Sequence, residues 1–208
     1  NYPFNWALMK FFATNEIGVE KFSSLIVKNY YHYRHDTSHA LLNLLSSHDI
    51  PRFYELCENK EQLKLAILFM MTFPGVPMLY YGDELGLKGG KDPDNRRCMP
   101  WDKAEDNEIY NYYQKLIKLK KNISPLSRGD FRMVLKDEAK NIVAFKRRCS
   151  YKAVYIIFNN NHISQNVTID IERSGKYKDL INEEVTESDN GTLTVQLHPY
   201  EGKVFIHP

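Results

Sequence analysis

Cysteine is scarce in this chain, with only Cys57, Cys98 and Cys149 among 208 residues. They stand too far apart for a disulfide framework or a Cys-x-x-Cys metal site, and free thiols in a reducing, cytoplasmic compartment are the simplest reading. Long apolar runs are missing as well, and residues 1–4 have none of the charged start, apolar stretch and cleavage site of a leader. The chain therefore reads as soluble. Nor does charge of one sign dominate: Lys plus Arg total 28 against 26 for Asp plus Glu, a formal net charge of +2, with short basic clusters only at 118–121 and 146–148. That balance leaves no electrostatic footprint for nucleic acid or an anionic membrane. There is no internal repeat and no low-complexity linker. An initiating Met is absent too, and the chain opens inside an apolar segment, so upstream sequence is expected before Asn1.

What is present is enough apolar material, 43% of residues, to bury one large core or two smaller ones. Val19, Phe22, Ile26 and Tyr30 recur at helical spacing with Lys21 and Lys28 off the stripe, which predicts a surface helix over 19–31. After a polar, loop-like stretch at 33–39, the run Leu41-Leu42-Asn43-Leu44-Leu45 is apolar on both alternating faces, as in a strand buried on both sides of a parallel sheet. Residues 61–73 have helical length and are apolar almost all round, and Pro74-Gly75 stops them; 76–81 reads as a second buried strand. A Gly- and Asp-rich loop occupies 82–94, and a helix over 108–120 carries Ile109, Tyr112, Tyr113, Leu116 and Ile117 on one face. Strand, helix, strand, helix is the unit of a parallel α/β architecture.

From Gly129 the pattern changes to short strand-like pieces at 133–135, 142–146, 153–158, 166–171, 192–197 and 203–206, separated by Asn, Ser, Gly and Lys. A small antiparallel sandwich is expected there. The change of periodicity alone sets the expected division into residues 1–125 and 126–208.

His48-Asp49 follows directly on the first buried strand. In an α/β barrel that strand end faces the active site, where a carboxylate can accept from sugar hydroxyls and stabilise positive charge at an anomeric carbon. On spacing alone a second reading stands beside it, an Asp capping a loop next to a satisfied His. His35 and His39, four apart, have no third ligand at a recognisable spacing, so no metal site is expected. Asn-x-Ser/Thr triplets start at Asn122, Asn166 and Asn190, and would matter only on a secreted eukaryotic protein. Arg128-Gly129-Asp130 reads as a turn.

Longer motifs separate the two readings of the His-Asp pair. Asn43-Leu44-Leu45-Ser46-Ser47-His48-Asp49-Ile50-Pro51-Arg52 resembles the fourth conserved region of the alpha-amylase superfamily of glycoside hydrolases. Phe73-Pro74-Gly75-Val76-Pro77-Met78-Leu79-Tyr80-Tyr81-Gly82-Asp83-Glu84 resembles that family's eighth barrel strand and turn. The stretch from Gly89 to Trp101, with Asp92, Asp94, Asn95, Arg96 and Arg97, is similar to the cyclomaltodextrinase, neopullulanase and maltogenic amylase subgroup. Ser47 stands where many members have Asn, a change also found in the subgroup.

The resemblance implies the C-terminal part of a (β/α)8 barrel, with its seventh and eighth strands, followed by the family's β-sandwich. It makes Asp49 the third family carboxylate, gripping the sugar at the cleavage point, with His48 assisting and Asp92 and Arg96 binding glucose units on the non-reducing side. Residues Asn1-Tyr2-Pro3-Phe4 resemble the end of the sixth strand, which places the nucleophile Asp and the acid/base Glu upstream; Asp83 and Glu84 then hold a turn by hydrogen bonds. The implied activity is retaining hydrolysis of α-1,4 bonds in maltooligosaccharides, cyclodextrin or pullulan, with this stretch inactive alone. No cofactor is implied here, since the family's usual calcium ligands lie mostly upstream. An open strand edge implies self-association or pairing with an N-terminal part. Two other classes stand beside this one: a non-catalytic carbohydrate-binding module, and an amylase-like barrel that has lost catalysis.

Overall fold

The computed structural model describes residues 1–207. The chain opens with helix α1 (Tyr2–Leu8), where the expectation was the end of a strand. Asn1 caps it, its side chain accepting from Phe4 N, and Pro3 sits in the first turn, where a missing N–H is harmless. One wider turn (Met9–Ala13) follows, then α2 (Val19–Tyr31), whose apolar stripe is buried as the spacing predicts. The polar stretch after it is partly helical, α3 (His35–Ala40), because its side chains find partners: His39 Nδ1 meets His35 O at 3.0 Å and Ser38 Oγ donates to Tyr30 O at 2.7 Å.

Strand β1 (Leu42–Leu44) pairs in parallel with β2 (Val76–Met78). Between them run α4 (Phe53–Leu56) and α5 (Lys60–Thr72). Helix α5 begins with a capping box, Asn59 accepting from Gln62 N while Gln62 Oε1 accepts from Asn59 N, and from Gln62 to Thr72 only Lys64 escapes full burial. The expectation that both strands are buried on both faces is not met: Leu42 is 52% and Val76 45% exposed. A two-stranded sheet offers no third strand and no closed barrel interior to cover them.

After α6 (Glu108–Asn122) and α7 (Ser124–Arg128) come eight strands: β3 (Asp130–Asp137), β4 (Ile142–Cys149), β5 (Lys152–Asn159), β6 (Gln165–Asp170), β7 (Gly175–Asp179), β8 (Val185–Ser188), β9 (Thr192–Leu197) and β10 (Gly202–Ile206). They form a six-stranded sheet in the order β3-β4-β5-β10-β7-β8, covered on one face by the pair β6-β9, with every neighbouring pair antiparallel. Ile142, Ala144 and Ile157 from the larger sheet meet Val167, Ile169 and Leu193 from the smaller in a closed apolar cluster. Strands β7 and β8 escape the period-2 pattern. Both are short; β7 is largely charged, and the edge strand β8 is mostly polar with Glu187 exposed, a charge that opposes recruitment of another strand.

The opposite face of the six-stranded sheet packs on α5. Phe69 lies 5.2 Å from Phe145 and 5.3 Å from Phe158 between ring centroids, so one apolar cluster runs through both halves. A methyl group at Gly202 would stand 2.4 Å from Leu68 Cδ2, which is why β10 approaches the helix at a glycine. The carbonyls ending α5 are satisfied by two cations, the half-buried Lys120 and the fully buried Arg147. Lys120 Nζ donates to Met71 O at 3.2 Å and Phe73 O at 3.0 Å, and Arg147 Nη1 to Thr72 O at 2.5 Å. A helix C-terminus favours positive charge; Lys120 ties α6 to that end of α5, and Arg147 on β4 ties the sandwich to it.

Candidate functional site

The chain leaves β1 through Leu45, Ser46 and Ser47, all buried, and surfaces at His48 and Asp49, whose side chains are 61% and 57% exposed. The turn is held from beneath. Ser46 Oγ accepts from Phe53 N at 3.1 Å, Ser47 Oγ accepts from Asp49 N at 3.1 Å, and Asn5, buried on α1, donates to Leu45 O at 2.6 Å. The strand tip is thereby fixed by its own serines and by the first helix.

Both oxygens of Asp49 are engaged. Tyr2 donates its hydroxyl to Oδ2 at 2.9 Å and lies 3.3 Å from Ser47 Oγ, while His48 Nε2 stands 3.2 Å from Oδ1. The carboxylate is thus oriented between a phenol and an imidazole, and its remaining lone pairs point to solvent. Beside Tyr2, with ring centroids 6.4 Å apart, Trp6 is 54% exposed.

Asp92 and Arg96 lie on the adjacent loop and pair with each other, Arg96 Nε to Asp92 Oδ1, at 2.6 Å. Asn95 joins this loop to the His48 turn. It is fully buried, and its amide donates to Ser47 O, His48 O and Ile50 O at 3.2, 2.9 and 2.9 Å. Asp94 fixes the loop from the other side by a two-pronged pair with Arg97, which together with the Gly90 N–H holds its carboxyl below the usual carboxylate range. At Gly89 a Cβ would stand 2.6 Å from Asp94 O and 2.9 Å from Asn95 Cα, so only glycine lets the loop fold back on itself.

Under both loops lies Arg52, with no exposure. It donates from Nε to Asn95 O at 2.9 Å and from Nη1 to Tyr81 O at 2.6 Å and Asp83 Oδ1 at 3.0 Å, and its guanidinium carbon sits 3.9 Å above the Tyr80 ring. Burial pushes the Asp83 carboxyl up to about 6 in spite of Arg52 beside it. Asp83 therefore anchors Arg52 from within, away from the surface where His48 and Asp49 stand. Glu84 leaves one buried oxygen without a hydrogen-bond partner.

The structure brings His48-Asp49 and Asp92-Arg96 onto two loops pinned together by Asn95 and Arg52. It does not enclose them: His48, Asp49, Asp92 and Arg96 are all near or above half exposure. The concave mouth expected around the pair is not formed by these residues, since two parallel strands supply only one side of such a wall. Among the described residues, no group of three or more His, Cys, Asp or Glu side chains is placed to hold a metal ion. His35 turns instead to Asp130 at 3.1 Å and His39 to Gly129 O at 3.2 Å. No helix among the described residues is long and apolar enough to cross a membrane.

Sequence reasoning missed Tyr2, Asn95 and Arg52 as parts of this arrangement. Asn95 and Arg52 lie inside the motifs that drew attention to the loops, but residue type alone does not mark them, since Asn and Arg in turns are ordinarily exposed. Nothing local marks Tyr2, whose partner is 47 residues away.

The family model described as the alpha amylase catalytic domain matches residues 1–122, and that of the alpha amylase C-terminal all-beta domain matches residues 133–207. Neopullulanase 2 of Thermoactinomyces vulgaris is 36% identical over 208 residues, spanning 98% of this chain and 36% of the relative. A cyclomaltodextrinase of Geobacillus thermopakistaniensis is 34% identical over 203 residues, 96% of this chain and 34% of the relative. A solved structure of a cyclomaltodextrinase superimposes with a TM-score of 0.91 at 29% identity, covering 100% of this chain and 36% of that one. The chain thus spans about a third of the length of the curated relatives it matches.

Proposed function

The chain belongs to the alpha-amylase family, and from that premise we propose that it forms one wall of the α-glucan site of a retaining glycoside hydrolase. It is the C-terminal part of the barrel, taken as residues 1–125, with the sandwich, residues 126–208, buttressing it. The observation that carries this reading is the carboxylate of Asp49, presented at the tip of a parallel strand and oriented by Tyr2 and His48.

In this reading Asp49 accepts hydrogen bonds from adjacent hydroxyls of the sugar whose bond is cleaved. A fixed carboxylate next to that ring stabilises the positive charge that develops on it, and does so without reorganising, because Tyr2 and His48 already hold it. His48 donates to the same hydroxyls. Asp92 and Arg96 bind glucose units further along, the planar guanidinium suiting ring and hydroxyl oxygens. The nucleophile and the acid/base belong to barrel strands outside these residues, which complete the mouth that β1 and β2 leave open. The open edge of β1 and the exposed Leu42 and Val76 are where those strands, or a second copy, would pair. The substrates are maltooligosaccharides or cyclodextrins, and the free thiols of Cys57, Cys98 and Cys149 suit a reducing cytoplasm.

The chain alone should release no reducing sugar from cyclodextrin. Combined with a polypeptide carrying the preceding barrel strands, it should hydrolyse maltooligosaccharides, and Asp49→Asn should lower kcat by about 10²–10³. Full activity of the Asp49→Asn assembly, or turnover by the chain alone, would remove Asp49 and the upstream carboxylates from these roles.

A further inference from the structure

The six-stranded sheet carries an electrostatic cost at its β3 edge. Arg132 on β3 and Lys146 on β4 stand directly opposite one another in the register, and Arg148, two residues further along β4, lies diagonal to Arg132 on the same face. Like charges set opposite one another across an antiparallel pair destabilise it. The compensation nearby is incomplete. Glu172 reaches Lys146 at 2.6 Å and Arg148 only at 3.7 Å, and one carboxylate does not neutralise three cations. The hydrogen bond from Lys146, followed by the charges of Lys146, Arg148 and Arg173, holds the Glu172 carboxyl below the usual carboxylate range. The guanidinium of Arg132 has no ion pair or hydrogen bond among the described residues.

The three cations line a cavity of about 400 Å³ between the β3 edge and the end of α2, a volume in the range of small-molecule sites. Within it they face a single carboxylate, Asp130, which is already engaged by His35 at 3.1 Å. Asp170 and Glu172 line the neighbouring cavity instead. Arg148 spends one donor on Ser150 O at 3.3 Å, and its side chain is 54% exposed. Two guanidinium forks thus keep N–H donors free at diagonal positions. Such positions stand roughly 7–8 Å apart across the strands, a gap that one tetrahedral oxyanion bridges.

The other wall is aromatic. Tyr31 packs edge-to-face on Tyr30, ring centroids 4.8 Å apart, and donates its hydroxyl to Phe131 O at 3.4 Å, so the ring is fixed while the residue stays 66% exposed. Tyr33, 46% exposed, is braced by His32 at 4.7 Å. Rings held in place yet largely open to solvent cost little ordering to bind against, and they suit a flat partner.

We infer that this cavity binds a phosphate monoester that carries a planar ring, a ligand of nucleotide class, with the phosphoryl group on Arg132 and Arg148 and the ring against Tyr31 and Tyr33. Its charge supplies what the sheet lacks, since a dianion at the β3 edge relieves the repulsion between Arg132 and Lys146. None of His48, Asp49, Asp92 and Arg96 lines the cavity, and the inference does not rest on the function proposed above.

Calorimetric titration of the chain with adenosine monophosphate, at constant ionic strength in a phosphate-free buffer, tests this. Binding should be saturable, and inorganic phosphate, which lacks the ring, should bind the same site about tenfold more weakly. Arg132→Gln, at an exposed position, should weaken both ligands about tenfold or more. Without ligand it should unfold at a temperature no lower than the parent, because it removes one of two opposed charges. Tyr31→Ala should weaken adenosine monophosphate and leave inorganic phosphate unchanged, and Tyr33→Ala gives the same reading if Tyr31→Ala disturbs Tyr30. The inference is overturned if adenosine monophosphate does not bind by about 10 mM, or if Arg132→Gln binds it like the parent. It is also overturned if adenosine, or inorganic phosphate, binds as tightly as adenosine monophosphate, which would remove the phosphoryl contact or the aromatic wall from the site.

Discussion

Replacing Asp83 with Asn isolates the electrostatics beneath the two loops. Asp83 is buried against Arg52, Ser46 and the apolar underside of the loop, and loss of hydration there outweighs the attraction of Arg52, so its carboxyl titrates near 6. The folded state therefore binds this proton more tightly than the unfolded chain does. The resulting stability is fully present below the unfolded value, near pH 4, and is lost as pH rises through about 6. A rise of about two units at 1.36 kcal/mol each amounts to roughly 3 kcal/mol. Asparagine keeps the shape and the oxygen that accepts from Arg52, and its amide can donate to Ser46 Oγ, so Asp83→Asn mimics the protonated acid at every pH. Urea unfolding of both proteins between about pH 4 and pH 8 should give nearly equal stabilities at the acid end. At the alkaline end the variant should be more stable by up to about 3 kcal/mol. If Asp83→Asn is instead clearly less stable than the parent near pH 8, the charge pair outweighs its desolvation and the reasoning fails.

Burial also pushes the Lys120 ammonium down, to about 7, although it donates to the carbonyls ending α5. Because the unfolded chain holds this proton more tightly, unfolding free energy should rise with pH from about 7 to 10, and Lys120→Met should flatten that window; an unchanged slope in urea unfolding would refute it. Asn95→Ala strips the partner from three carbonyls of the His48 turn and should lower stability by about 2–3 kcal/mol, with faster amide exchange at residues 47–50. Gly89→Ala forces its methyl group into Asp94 and Asn95 and should cost about 1–3 kcal/mol while shifting the amide resonances of Asp92 and Arg96. Chemical denaturation and backbone NMR read both.

Most of what the periodicity marks is present, because it concerns elements with one apolar face. The stripe of α2, the all-round burial of α5 and the strands of the sandwich core follow from spacing alone. The sequence reading fails where partners are remote or the segment is polar. Helix α1 has only its cap and Pro3 as local signals, α3 depends on Tyr30 and Gly129, and β7 and the edge strand β8 have too few apolar residues to show alternation. The candidate site divides the same way. His48 and Asp49 are visible because a motif follows a strand, whereas Tyr2, whose hydroxyl orients Asp49, is reached only through the fold. The exposure of Leu42 was not legible either, since alternation reports what a strand can bury and not how many strands stand beside it.

The direct test of the account is a titration of the chain with maltotriose, watched through the imidazole carbon-proton signals of its histidines. If the strand tip binds sugar, the His48 signals move saturably, Asp49→Ala abolishes the movement, and Tyr2→Phe weakens it. Signals of His48 that stay still while the sugar is raised to tens of millimolar, about the weakest affinity a single wall of a site would show, or that move equally in Asp49→Ala, would contradict it.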